Sequence, residues 1–175
     1  AAVNYHFSDK QELYVQAVQH AHGAGITAIR ALIEADRNTD PARRLHAFVH
    51  TFLQLSLDPG RPAWEAELIN REMRDPTSTC DRYIADLLDP FISAFGSLIA
   101  ELAGDPPPSA RVTRLMVDSV MGQCLFYVYN KHKHARMFPH EPSASTRVDE
   151  IADHITRFSL AAIRCRDVHA EHEPR

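Results

Sequence analysis

Along almost the whole chain, apolar residues return every third or fourth position, and nowhere do they alternate inward and outward as a half-buried strand would require. That period confines the polypeptide to helices, each burying one stripe, and predicts an all-α fold. Four breaks punctuate it: "DPGRP" (58–62), "DPTST" (75–79), "GDPPPS" (104–109) and "FPHEPSAS" (138–145). Each is rich in residues that stop helices or make turns.

The first complete helix is expected from Asp9 to about Asp36. Ser8 can cap it, with Gln11 three residues on as the reciprocal partner. Its apolar face is read as Leu13, Ala17, Ala21, Ala24, Ala28 and Leu32. Gly23 and Gly25 inside it cost roughly 1 kcal/mol each relative to alanine, which predicts a bend or a close approach there. Asp40 followed by Pro41 reads as an N-cap and first helical residue, opening a helix with the stripe Leu45, Phe48, Val49, Phe52, Leu53. "AWEAELINREMR" forms a short helix ending at Arg74. A long helix is predicted from Cys80 to Ala103, kinked at Pro90 and stopped by Gly104.

The last two helices are expected at about Ala110–Met137 and Thr146–Arg166. The second is cleanly amphipathic, with Val148, Ile151, Ile155, Phe158 and Ala162 on one face. The first is apolar around most of its circumference between Leu115 and Tyr129. Such a helix needs burial on two sides, one against its own core and one against a partner. Ser119 and Gly122 offer small side chains for close helix approach. A symmetric homodimer is therefore expected, its interface a four-helix arrangement containing Ser119, Gly122, Phe126, Ile155, Phe158 and Ala162.

Composition narrows the function classes. The chain has 175 residues, 45% hydrophobic and 24% charged, with a net charge of −4. That is globular, and any nucleic-acid contact must be a local patch. Three scattered cysteines (Cys80, Cys124, Cys165) without a CxxC pair fit a reduced interior better than a disulfide scaffold. No leader or membrane-spanning run is evident, so a cytoplasmic protein is expected, with no membrane partner.

The opening "AAVNYHFSDKQELY" begins with a helical pattern already under way. Val3, Tyr5, His6, Phe7, Lys10 and Leu13 resemble, position by position, the junction between the recognition helix and the next helix in TetR-family transcriptional regulators. Asn4 stands where that family usually has tyrosine. The resemblance implies that residues 1–20 are the end of a helix-turn-helix domain, and that two basic helices and the start of the recognition helix precede residue 1. It also implies that Asn4, Tyr5, His6 and Lys10 contact double-stranded operator DNA. Taken by themselves, the same residues read equally well as an aromatic cluster closing an ordinary helix.

A second resemblance covers residues 21–175. "REMRDP" (71–76), "LLDPF" (87–91) and "SVMGQCLFY" (119–127) are similar, in the same order, to the C-terminal ligand-binding domain of the CecR-type subgroup of TetR regulators. It implies a helical effector-binding and dimerisation domain, though no particular effector. Where bulky apolar residues meet expected kinks, the candidate effector-binding residues are Phe52, Trp64, Arg71, Met73, Phe91, Phe95, Met121, Gln123, Phe126 and Tyr127. The same residue types also fill any helical core. Arg71 and Glu72 either hold a polar group of a ligand or pair with the helix carrying Asp86 and Asp89, the ion pair being favoured.

Other chemistry finds little support. His46 and His50 lie four apart, but no zinc-protease glutamate accompanies them, and they are read as solvated face residues. "KHKH" (131–134) with His140 reads as cationic surface. No glutamate has a histidine three residues later, and no phosphate loop, dinucleotide fingerprint or nucleophile elbow occurs. Neither cofactor nor metal is expected. The expected function is a ligand-responsive repressor released from a palindromic operator by a small apolar or amphipathic effector. The alternative is an all-helical small-molecule carrier or enzyme with no DNA-binding role.

Overall fold

The computed structural model describes residues 10–34, 39–75, 81 and 88–165. Among them every regular element is helical: α1 (Lys10–Glu34), α2 (Pro41–Leu57), α3 (Ala63–Arg74), α4 (Asp89–Ala103), α5 (Ala110–Met137), a 3-10 turn at Ala144–Thr146, and α6 (Val148–Arg164). These helices group into two units. One takes α1 up to Ala28, α3 and the start of α4; the other takes the end of α1, α2, the rest of α4, α5 and α6.

The expected punctuation is present. The Asp40 carboxylate accepts the Ala42 N–H at 3.1 Å, and Pro41 occupies the first turn of α2, where its missing N–H costs nothing. Gly104 stops α4 with φ +88°, a backbone conformation that side chains disfavour. Ser109 caps α5, its hydroxyl accepting from Val112 N–H at 3.4 Å. α5 has the expected bounds; α6 begins two residues later than anticipated, because Ala144–Thr146 close a separate turn. The Cys80–Leu87 part of the expected long helix falls outside the described residues except for Asp81, and Pro90 sits in the first turn of α4.

The stripe expected on α1 is corrected in part: of its residues Ala21 is buried and Leu13, Ala17 and Leu32 are half-buried. The helix buries Val18, Ala21, Ile29 and Ile33, while Ala28 is exposed. Two apolar series interleave on this helix, and the one carrying the larger β-branched chains wins because burial scales with apolar area. α1 also runs unbroken through Gly23, where an added Cβ would meet nothing within 4 Å, so neither a break nor a close contact is needed there.

In the first unit Val18 packs with Tyr14, Ile26, Leu68 and Leu88. The Tyr14 hydroxyl donates to the buried Glu72 carboxylate, and Arg61 donates to both the Ala21 carbonyl and, at 2.9 Å, Glu65. These bonds tie α3 to α1. In the second unit α2, α5 and α6 all pack on one another, α2 most extensively on α6. Leu45, Phe48, Val49 and Leu53 are fully buried, and Phe48 meets Phe95 with ring centroids 4.2 Å apart.

Two polar devices lock this second unit. Arg44, buried on α2, donates to the Ile33 carbonyl at 3.2 Å and to the Glu101 carboxylate. It satisfies one of the orphan carbonyls at the end of α1 and places a cation at the negative end of that helix. His46 and His50 are the second device: they lie on a solvated face, as expected, and also pair across it. Their Nε2 atoms lie 2.9 Å from Asp153 and 2.8 Å from Asp149, making two rungs between α2 and α6 that stay open to solvent.

Candidate functional site

Along α5 the buried stripe is Val112, Met116, Val117, Val120 and Cys124. A second line, Leu115, Ser119, Gly122, Phe126 and Tyr129, is exposed throughout. Its steps of four, three, four and three residues are the spacing at which one helix meets another along a seam. Leu115 is 53% exposed and Phe126 51%. The Ser119 hydroxyl donates to its own helix's Leu115 carbonyl at 2.7 Å, so it asks nothing of a partner. Burial raises the Tyr129 phenol above its ordinary value, leaving the line without an ionised group at neutral pH. On α6, Phe158 is 61% exposed with His154 one turn before it and Ala162 partly buried nearby.

Gly122 is the open centre of this surface. A Cβ built there meets nothing within 4 Å, so the protomer gives no packing reason for glycine in mid-helix. Ser119, Gly122, Phe126 and Phe158 thus lie where a partner could reach them. Ile155 does not: it is 1% exposed in the protomer's own core, because the stripe of α6 that faces α2 passes through it. An interface role for Ile155 would need surface that it does not have.

The candidate effector residues fall in both units, Trp64, Arg71, Met73 and Phe91 in the first and the others in the second. Phe91 and Phe95 are buried packing residues. Phe52 and Met121 are half-buried, and Arg71 is exposed. Trp64 is exposed and stacks on His20, ring centroids 6.5 Å apart and planes within 10°. The Met73 side chain lies outside the described residues. Gln123 ties α5 to α6, its amide donating to the Ser119 carbonyl and the Ser159 hydroxyl at 3.2 Å each. Within "REM", Glu72 is buried and accepts from the Tyr14 hydroxyl, while Asp86 lies outside the described residues.

Phe126 and Tyr127 border a cavity. It is a notch of about 220 Å³ between the end of α5 and the chain that turns back through Pro139 and Pro142. Lys131 and His134 of the "KHKH" run, expected only as cationic surface, also line it. The two prolines of "FPHEPSAS" were the signal that this segment folds back on its helix. Arg147 fixes the end of the turn, donating to Glu141 at 2.8 Å and to Glu150 at 2.9 and 2.8 Å. Those bonds raise the Arg147 pKa and lower that of Glu150.

Asn4, Tyr5 and His6 lie outside the described residues, and Lys10 is described only as the first residue of α1. Among the described residues no group of three or more His, Cys, Asp or Glu is arranged to hold a metal ion. None of the described helices is long and apolar enough to cross a membrane.

Residues 41–163 match the family described as the C-terminal domain of the HTH-type transcriptional dual regulator CecR. The chain belongs to that family. The match opens on Pro41 at the start of α2 and closes on Ile163 in the last turn of α6, so it includes both elements that carry the exposed seam. No curated protein matches the chain. Membership in this family of regulator domains supports a transcriptional regulator, built here on an all-helical fold.

Proposed function

We propose that this protein is a homodimeric, ligand-responsive DNA-binding repressor whose C-terminal CecR-family domain pairs through the outer faces of α5 and α6. The observation that carries the reading is the exposed seam Leu115–Ser119–Gly122–Phe126–Tyr129, an apolar line at helix-pairing spacing inside a regulator domain. Exposed apolar patches of this kind mark association surfaces.

In this reading residues 1–20 finish a helix-turn-helix domain, and Asn4, Tyr5, His6 and Lys10 touch the operator. Residues 21–175 sense the effector and hold the dimer. Two recognition helices must stand about 34–36 Å apart to enter successive major grooves. α1 joins the two parts, and an effector that favours a different setting of α1 spoils the spacing and releases the DNA. A ligand achieves this only by binding one setting more tightly than the other.

The test is selection from a random duplex library by the intact polypeptide. Enrichment of an inverted repeat with half-sites one helical turn apart is expected. Recovery of no preferred duplex would refute the DNA-binding reading.

A further inference from the structure

We propose that the notch at the end of α5 binds a small aromatic carboxylate, its ring against Phe126 and Tyr127 and its carboxylate on the Lys131 ammonium. This deepens the effector reading by naming the ligand's class; the binding claim itself does not depend on DNA release.

Size sets the first limit. At about 220 Å³ the notch exceeds the roughly 150 Å³ apolar cavity that holds a benzene ring. It falls short of the roughly 300 Å³ at which pockets for drug-sized molecules begin. One ring with a short substituent fits; a fused polycycle does not. Phe126 and Tyr127 meet edge to face, centroids 5.4 Å apart and planes at 88°, so they form a corner rather than a flat wall. Ring pairs favour offset or edge contacts, and such a corner offers both to a guest ring.

Charge sets the second. Lys131 lines the notch and makes no ion pair among the described residues. Glu141 lines it too, but its carboxylate is held by Arg147 at 2.8 Å. The guest therefore meets an unpaired ammonium and a carboxylate that shares Arg147 with Glu150, a trio that keeps one negative charge. The end of α5 opposes this with a partial negative charge of about one half. Three full positive charges, Lys131, Lys133 and Arg136, stand on the last two turns and outweigh it. The His134 carbonyl there is also occupied by the Phe138 N–H at 2.9 Å. An aromatic corner could attract a cation, but Lys131 repels one at close range.

The intact chain is titrated with sodium benzoate, benzyl alcohol and benzylamine by calorimetry and NMR. Saturable benzoate binding at one site per chain is expected, with benzyl alcohol at least tenfold weaker and benzylamine not bound. Lys131→Met should weaken benzoate at least tenfold. Lys133→Met, which removes a neighbouring charge outside the notch, should change it less than twofold. Ala135→Phe fills the notch from an exposed helical position and should abolish the site without unfolding the chain.

Benzyl alcohol binding as well as benzoate would overturn the proposal. So would equal losses in the two lysine variants, or full binding to Ala135→Phe. A notch that ignores benzoate while Ala135→Phe makes the chain monomeric would be a socket for a second copy, and would also overturn it. Benzoate that binds as described yet leaves operator affinity unchanged would uphold the site and refute only its role as effector site.

Discussion

Gly122→Arg separates the protomer from its pairing. A Cβ at this position meets nothing within 4 Å, so the larger side chain enters open space in the isolated protomer. The position lies near the middle of α5, far from either cap, where glycine is about 0.8–1.0 kcal/mol worse than alanine and arginine nearly as good as alanine. The protomer should therefore gain about 0.7 kcal/mol, a fraction of its total stability. In the dimer the same arginine enters an apolar seam between Ser119 and Phe126, where exposed Asp118, four residues earlier on the same helix, is its available partner. Even so partnered, a guanidinium drawn out of water into this seam costs about 3 kcal/mol, which weakens association by roughly 10²-fold.

The assay is sedimentation velocity over a hundredfold concentration range, paired with urea unfolding at the same concentrations. The native chain should sediment as a dimer and unfold at a midpoint that rises with concentration, as mass action requires. The variant should sediment as a monomer, keep its helical circular dichroism and unfold at a midpoint independent of concentration. Gly122→Arg remaining a dimer with undiminished concentration dependence would refute the placement of the interface. Loss of helical signal would refute the claim that the protomer has room there.

Arg44→Ala removes the guanidinium that closes the end of α1 and should cost about 2–3 kcal/mol in urea unfolding, since it strands buried polar groups. Glu101→Gln, on the partly exposed side of that pair, should cost under about 1 kcal/mol; equal losses would contradict the capping role. Burial pushes the Cys124 thiol up to about 12, so at pH 8 only about 1 part in 10⁴ is thiolate. Iodoacetamide at that pH should label exposed Cys165 and spare Cys124 until urea is added, and native labelling of Cys124 would show an open α5 core. Lys10→Ala should weaken DNA binding across all sequences and lower the salt dependence by about one unit, as loss of one phosphate contact requires. An unchanged slope would remove Lys10 from the DNA surface.

What the sequence showed of this fold, it showed through local chemistry. Asp40–Pro41 and Gly104 act within one turn of themselves, and each marks the boundary it announced. The all-round apolar character of α5 likewise survives as a buried stripe and an exposed seam. What stayed hidden are contacts whose deciding partner is remote. Arg44 is buried because Ile33 and Glu101, on two other helices, receive its guanidinium. The pairing of His46 and His50 shows only once Asp153 and Asp149, about a hundred positions on, are set opposite them. On α1 the alanine series and the Val18–Ile29–Ile33 series have the same period, and only packing area tells them apart. Ile155 and Phe158 are three apart on one amphipathic face; the curvature of that face sends one inward and leaves the other outside.

The central claim is a regulator that works as a pair on DNA. Sedimentation of the intact polypeptide with a fluorescent duplex carrying its selected sequence measures both halves of that claim at once. Two chains per inverted repeat, lost on Gly122→Arg and absent on scrambled duplex, is the predicted result. One chain per duplex, or equal binding to the scrambled sequence, would contradict it.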